Sequence, residues 1–119
     1  MFAYSRRIHT VDFVALQRGK TLHSERFSLR YFFDITAKQS RIGVVVAKKG
    51  ITAVQRNLTK RRISKDLEGL YPHIKKGYLI AVYMKGKPSK QEKSATELRL
   101  LCSKGPFWVE DIDSVAVRA

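Results

Sequence analysis

Residues 41–61 read Arg-Ile-Gly-Val-Val-Val-Ala-Lys-Lys-Gly-Ile-Thr-Ala-Val-Gln-Arg-Asn-Leu-Thr-Lys-Arg. The first part, Arg41 to Ala47, is a β-branched run suited to a buried central strand. Lys48, Lys49 and Gly50 end it. A helix is then predicted from about Thr52 to Leu70, with Gly69 and Pro72 marking its end. Thr59, Ile63, Leu67 and Leu70 fall at i, i+4, i+8 and i+11, one core-facing stripe. Asn57, Lys60, Arg61, Ser64 and Lys65 are expected on the opposite side, so packing the stripe turns a basic face outward.

Working upstream, Thr10 to Leu16 is read as a short helix with Thr10 as N-cap, apolar contacts from Val11, Phe13, Val14 and Leu16, and Gly19 just past its end. From Arg26 to Ile35 the chain alternates, placing Phe27, Leu29, Tyr31, Phe33 and Ile35 on one side and Ser28, Arg30 and Phe32 on the other. Downstream, Gly77 precedes the strand Tyr78 to Met84, and Lys85-Gly86-Lys87-Pro88 forms a turn or loop. Ser89-x-x-Glu92 is a capping-box pattern for a last helix through about Ser103, with Leu98, Leu101 and Cys102 inward. The order helix, strand, strand, helix, strand, helix argues for an α+β sandwich. Past Gly105-Pro106 the chain carries three acids and one base. Residues 1–105 are therefore read as the domain and 106–119 as an extension, with a short added strand as its candidate structure.

A chain of 119 residues, 44% hydrophobic, has room for one core. Its net charge of +14 exceeds the roughly eight charges that solubility alone needs in a small domain, which points to a polyanionic partner, nucleic acid first. The charge is concentrated, since Lys38 to Lys65 holds nine basic residues and no acid. Arginine forks and lysine ammonium groups fixed on a helix suit phosphate oxygens.

Other chemistries are poorly provided for. Cys102 is the single cysteine, and His9, His23 and His73 are scattered, so no metal site made of protein ligands is expected. The residues for phosphodiester hydrolysis by the protein alone are lacking: there is no Ser/His/Asp set and no carboxylate cluster. Met1 to Thr10 has no signal-peptide apolar run behind Arg6 and Arg7. The longest apolar stretches, Ile42 to Ala47 and Tyr78 to Met84, fall far short of the roughly 20 residues a bilayer requires. A soluble, cytoplasmic protein without membrane contact is expected.

Within the basic block, Ala53-Val54-Gln55-Arg56-Asn57-Leu58-Thr59-Lys60-Arg61 resembles the R-N-x-x-K-R helix of the ribonuclease P protein family. Arg41-x-Gly43, Lys48-Lys49, Ala53-Val54, Arg56-Asn57 and Lys60-Arg61 match that family's pattern in order and spacing, far more specifically than a lone basic helix. Asp12-Phe13, Arg18-Gly19-Lys20, Phe27 to Phe33 and Gly77 to Tyr83 resemble its flanking elements, so the likeness covers about Ile8 to Lys104. The chain departs from the pattern in four places. Ser64 stands where the family usually has a final Arg. Gly50 comes one residue early, the stretch from Phe13 to Gly19 is one residue short, and the tail after Gly105 has no counterpart.

The resemblance implies a two-layer α+β sandwich: a four-stranded mixed sheet packed by helices, with a left-handed β-α-β crossover through the motif helix. It implies that Arg41, Lys48, Lys49, Arg56, Asn57, Lys60, Arg61, Arg62 and Lys65 face a catalytic RNA. Phe13, Arg30, Phe32 and Tyr83 would line a cleft for the single-stranded 5′ leader of precursor tRNA, where aromatics beside cations suit unpaired bases. Catalysis would belong to that RNA and its bound Mg2+, with a monomeric protein as accessory subunit. A noncatalytic RNA-binding or ribosome-associated protein of the same fold is the alternative, and nonspecific DNA binding a third.

Overall fold

The computed structural model describes residues 7–9, 12–46, 52–84 and 94–110. Its elements are α1 (Asp12–Leu16), β1 (Lys20–His23), β2 (Phe27–Phe33), β3 (Arg41–Val46), α2 (Ala53–Leu70), a 3-10 turn (Tyr71–His73), β4 (Tyr78–Met84) and α3 (Ser94–Ser103). The strands form one mixed sheet in the order β1-β2-β4-β3. The β1/β2 and β2/β4 pairs are antiparallel, whereas β3 and β4 run parallel, joined through α2. This is the α+β architecture expected, with one strand more than local pattern indicates.

That extra strand, β1, carries Leu22 as its one strongly apolar residue, too weak an alternation to read in isolation. It exists because β2 offers a partner edge, with Leu22 opposite Leu29 and Lys20 opposite Tyr31. Gly19 makes the approach possible: a Cβ there would stand 2.2 Å from the Tyr31 carbonyl oxygen. The turn between β1 and β2 is held from α3, where the Glu97 carboxylate accepts from Ser24 Oγ (2.5 Å), Arg26 N (2.8 Å) and Arg26 Nε (3.0 Å).

Strand alternation gives the sheet two different faces. On one, Phe27, Leu29, Ile42, Val46, Ile80, Val82 and Met84 meet Ile63, Leu67 and Leu70 of α2 and Leu98, Leu101 and Cys102 of α3. On the other, Leu16 of α1, Ile8, Leu79 and Ala81 form a smaller cluster, with Phe13, Ala15, Phe32 and Tyr83 packed around it. At about 25 cal/mol per Å2 the larger cluster supplies most of the hydrophobic stabilisation, and α1 is a light attachment to the sheet.

Helix α2 begins as predicted. Thr52 is its N-cap in a full capping box, its Oγ1 accepting from Gln55 N (3.1 Å) while Gln55 Oε1 accepts from Thr52 N (3.2 Å). All four stripe residues are buried, Thr59 by donating its hydroxyl to the Gln55 carbonyl at 2.8 Å. After the 3-10 turn, Gly77 takes φ +94°, a left-handed conformation that lets the chain reverse into β4.

Four expectations need correction or restriction. The alternating β2 side is not uniformly inside: Phe33 is exposed and Ile35, beyond the strand, is 86% exposed. Packing by α2 and α3 does not extend that far, and the chain turns at Asp34, whose side chain accepts from Thr36 N at 3.0 Å. In α1, Val14 is exposed rather than an apolar contact. The packed domain also does not stop at Gly105. Phe107 is fully buried in the main cluster, and Trp108 pairs with Ile74 as an isolated bridge rather than a strand. Thr10, Ala47 to Gly50 and the Ser89/Glu92 capping pattern lie outside the described residues.

Candidate RNA-binding surfaces

The basic residues of α2 divide by angle around the helix axis. Asn57, Arg61, Arg62 and Lys65 are exposed, whereas Arg56, Lys60 and Ser64 are half-buried. Lys60 and Ser64 thus do not stand opposite the core stripe. A row at i, i+4 and i+8 lies on the shoulder of a 3.6-residue helix whose stripe runs through Thr59, Ile63 and Leu67. Exposed Val54 and Leu58 intervene among the charges. Lys48 and Lys49 fall outside the described residues.

On the opposite side of the sheet, register gathers the proposed cleft. Arg30 pairs with Ala81 and Ala81 with Gly43, a cross-strand row with small residues at its centre. Phe32 and Leu79 form the next row toward one end, and Tyr83 and Val45 the next toward the other. Phe13 joins from α1. The aromatics therefore flank a low floor, each half-buried with ring area left accessible. Arg30 donates from Nε to Thr21 Oγ1 at 3.2 Å, which holds its guanidinium over β1.

The two surfaces meet at the outer edge of β3, where Arg7 forms an isolated parallel bridge with Ile42. A cavity of about 350 Å3 there is lined by Phe13 and Ile8 from one face, Lys60 and Ser64 from α2, Arg7, and Gly43 to Val45 between them.

Arg41 is placed differently from the other predicted RNA contacts. Its Nη1 donates to both oxygens of Asp12, at 3.1 and 3.3 Å. It also lies close enough to Asp34 for its charge to lower that carboxyl's pKa, after the larger effects of the Thr36 hydroxyl and backbone N–H. One buried carboxylate, that of Asp12, thus pairs with this cation. Sequence spacing could not reveal that, because Asp12 and Arg41 are far apart along the chain.

Among the described residues no group of three or more His, Cys, Asp or Glu is placed to hold a metal ion. No described helix is long and apolar enough to cross a membrane. Cys102 is buried, and its thiol is pushed up to about 12 by desolvation, which leaves it without thiolate character near neutrality.

A small α+β domain with parallel strands β3 and β4 linked through a basic helix, and half-buried aromatics Phe13, Phe32 and Tyr83 on the other face of the sheet, defines a narrow class of protein. The chain belongs to the ribonuclease P protein family, whose model matches residues 5–104. It is 35% identical over 86 residues to the ribonuclease P protein component of Thermus brockianus, covering 72% of this chain and 48% of that protein. The chain thus spans about half the length of the curated relative it matches.

Solved structures share the fold. The Staphylococcus aureus RNase P protein superposes with a TM-score of 0.77 at 22% identity, over 87% of this chain and 97% of that one. The Thermotoga maritima RNase P protein gives 0.58 at 23% identity, over 92% and 86%.

Proposed function

We propose that this chain is the protein subunit of a ribonuclease P ribonucleoprotein and assists a catalytic RNA in removing the 5′ leader of precursor tRNA. The observation that carries this reading is the family match over residues 5–104, which takes in the R-N-x-x-K-R helix and the groove-forming strands. In this reading Arg56, Asn57, Lys60, Arg61, Arg62 and Lys65, with Lys48 and Lys49 just upstream, contact phosphates of the folded RNA subunit. Phe13, Arg30, Phe32 and Tyr83 receive the single-stranded leader.

The division of labour follows from charge and stacking. RNA brings RNA into contact only against phosphate repulsion, which a domain of net charge +14 offsets by releasing counterions. The groove then adds affinity for unpaired bases, which a mature tRNA lacks at its 5′ end. Magnesium held by the RNA subunit supplies the hydrolytic chemistry, leaving a 5′ phosphate on the tRNA. The protein acts as a cytoplasmic monomer that binds and positions.

Reconstitution tests this. Purified protein added to its cognate RNase P RNA with magnesium at physiological salt should accelerate 5′ processing of precursor tRNA. No acceleration, with tight binding to other structured RNA instead, would favour a noncatalytic RNA-binding protein of the same fold.

A further inference from the structure

We infer that Arg41 is a positioning residue for the leader groove and not an RNA contact: its ion pair with Asp12 fixes α1, and with it Phe13, over the sheet. This rests on the leader-binding reading of the groove. Helix α1 has five residues, well below the length at which an isolated helix holds together, so its place is set by its anchors. At its C-terminal end Leu16 is fully buried against the sheet. At its N-terminal end the anchor is Asp12, whose carboxylate accepts from His9 N (2.9 Å) and from Arg41 Nη1 (3.1 and 3.3 Å).

The burial of the two partners supports a structural pairing. The Asp12 side chain is only 8% exposed, and a carboxylate so far out of water requires a partner. The Arg41 side chain is 35% exposed, but its charge is met by Asp12 and felt by Asp34. An arginine paired with a buried carboxylate is a poor phosphate ligand, because binding RNA there would abandon that anion.

The register supplies the connection to the groove. Arg41 lies beside Leu79, and Leu79 beside Phe32, in one cross-strand row. Asp12 is the immediate neighbour of Phe13. The ion pair therefore ties the helix carrying one aromatic wall to the row carrying the other. Loosening it changes the gap between Phe13 and Phe32 while leaving α2, on the far face, in place.

The test uses the full chain as Arg41→Met, Asp12→Asn and the charge-swapped double variant Asp12→Arg/Arg41→Asp, each first checked by thermal melting. Free protein is titrated with an unstructured RNA oligonucleotide, and the holoenzyme with precursor tRNA and with leaderless tRNA. Arg41→Met and Asp12→Asn should each weaken oligonucleotide binding and the preference for precursor tRNA by about tenfold, as expected for a displaced binding group. Affinity for the RNA subunit and its salt slope should stay at wild-type values, and the swap should restore part of the loss. A salt slope lower by about one in Arg41→Met alone would make Arg41 a phosphate contact and overturn the proposal. Unchanged oligonucleotide affinity in folded variants would overturn it equally. If wild-type holoenzyme shows no leader preference, the ribonuclease P reading fails instead, and the oligonucleotide titration still decides the role of the pair.

Discussion

Trp108 lies flat on His73, ring centroids 4.5 Å apart and planes 10° from parallel. Around this stack the chain exchanges hydrogen bonds in both directions: Val109 N donates to the His73 carbonyl at 2.7 Å, and His73 Nδ1 donates to the Val109 carbonyl at 2.7 Å. Lys75 N donates to the Phe107 carbonyl at 2.8 Å. Arg99 covers the indole at 5.5 Å from its centroid. The segment 107–110 is thus a latch that closes the core end beside the 3-10 turn.

Phe107→Ala should cost about 3–5 kcal/mol in chemical denaturation, the range for emptying a fully buried aromatic site. Trp108→Ala should cost less, because the indole is half-buried and its loss leaves no enclosed void. A chain ending at Gly105 should melt well below the full chain.

The basic residues of α2 make a distinct electrostatic prediction. Arg56→Ala together with Arg61→Ala should lower the salt slope of binding to the RNA subunit by about two, near one per phosphate contact. Salt titration of the complex checks this, and an unchanged slope would move the contacts elsewhere.

Phe32→Ala should weaken binding of an unstructured RNA by roughly 1–3 kcal/mol, the usual worth of a base stacked on an aromatic ring. Affinity for the RNA subunit should remain near wild type. Parallel titrations with the two RNAs separate the groove from the helix, and equal losses on both would count against two surfaces.

Glu97 links α3 to the β1/β2 turn and should make stability pH-dependent. Burial pushes its carboxyl up, but hydrogen bonds from Ser24, the Arg26 backbone and the Arg26 side chain, with the Arg26 charge, outweigh this and hold it below its ordinary value. A depressed folded-state pKa contributes stability above the unfolded-state pKa, and that contribution is lost as pH falls through the folded-state value. Glu97→Gln should therefore destabilise at neutral pH by about 1–3 kcal/mol, with the gap to wild type closing in acid. Urea melts across the acidic range measure this.

Cys102 should resist alkylation in the native protein and react on unfolding, since burial alone raises its thiol to about 12. Modification that tracks the denaturation curve would match this, and rapid labelling of native protein would contradict it.

Much of the scaffold was legible in local pattern. The valine run of β3, the capped helix from Thr52 and the apolar β4 each carry their period within a few turns or residues, so neighbours in sequence suffice to read them. The motif spanning Arg41 to Arg61 was equally readable, because its spacing is local. What local pattern missed depends on partners elsewhere. Strand β1 has one strongly apolar side chain and forms by pairing with β2, and Phe107 enters the core from a segment whose composition suggested an extension.

The sites divide along the same line. Composition and helical spacing by themselves determined that this chain carries a concentrated basic helix on a small α+β scaffold. Only the tertiary structure placed Lys60 and Ser64 on the shoulder beside β3, gathered Phe13, Phe32 and Tyr83 on the opposite face, and paired Arg41 with Asp12. The reason is physical: periodicity records which side of an element avoids water, but strand register and ion pairing join groups far apart in the chain, and their energies exist only once the sheet has assembled.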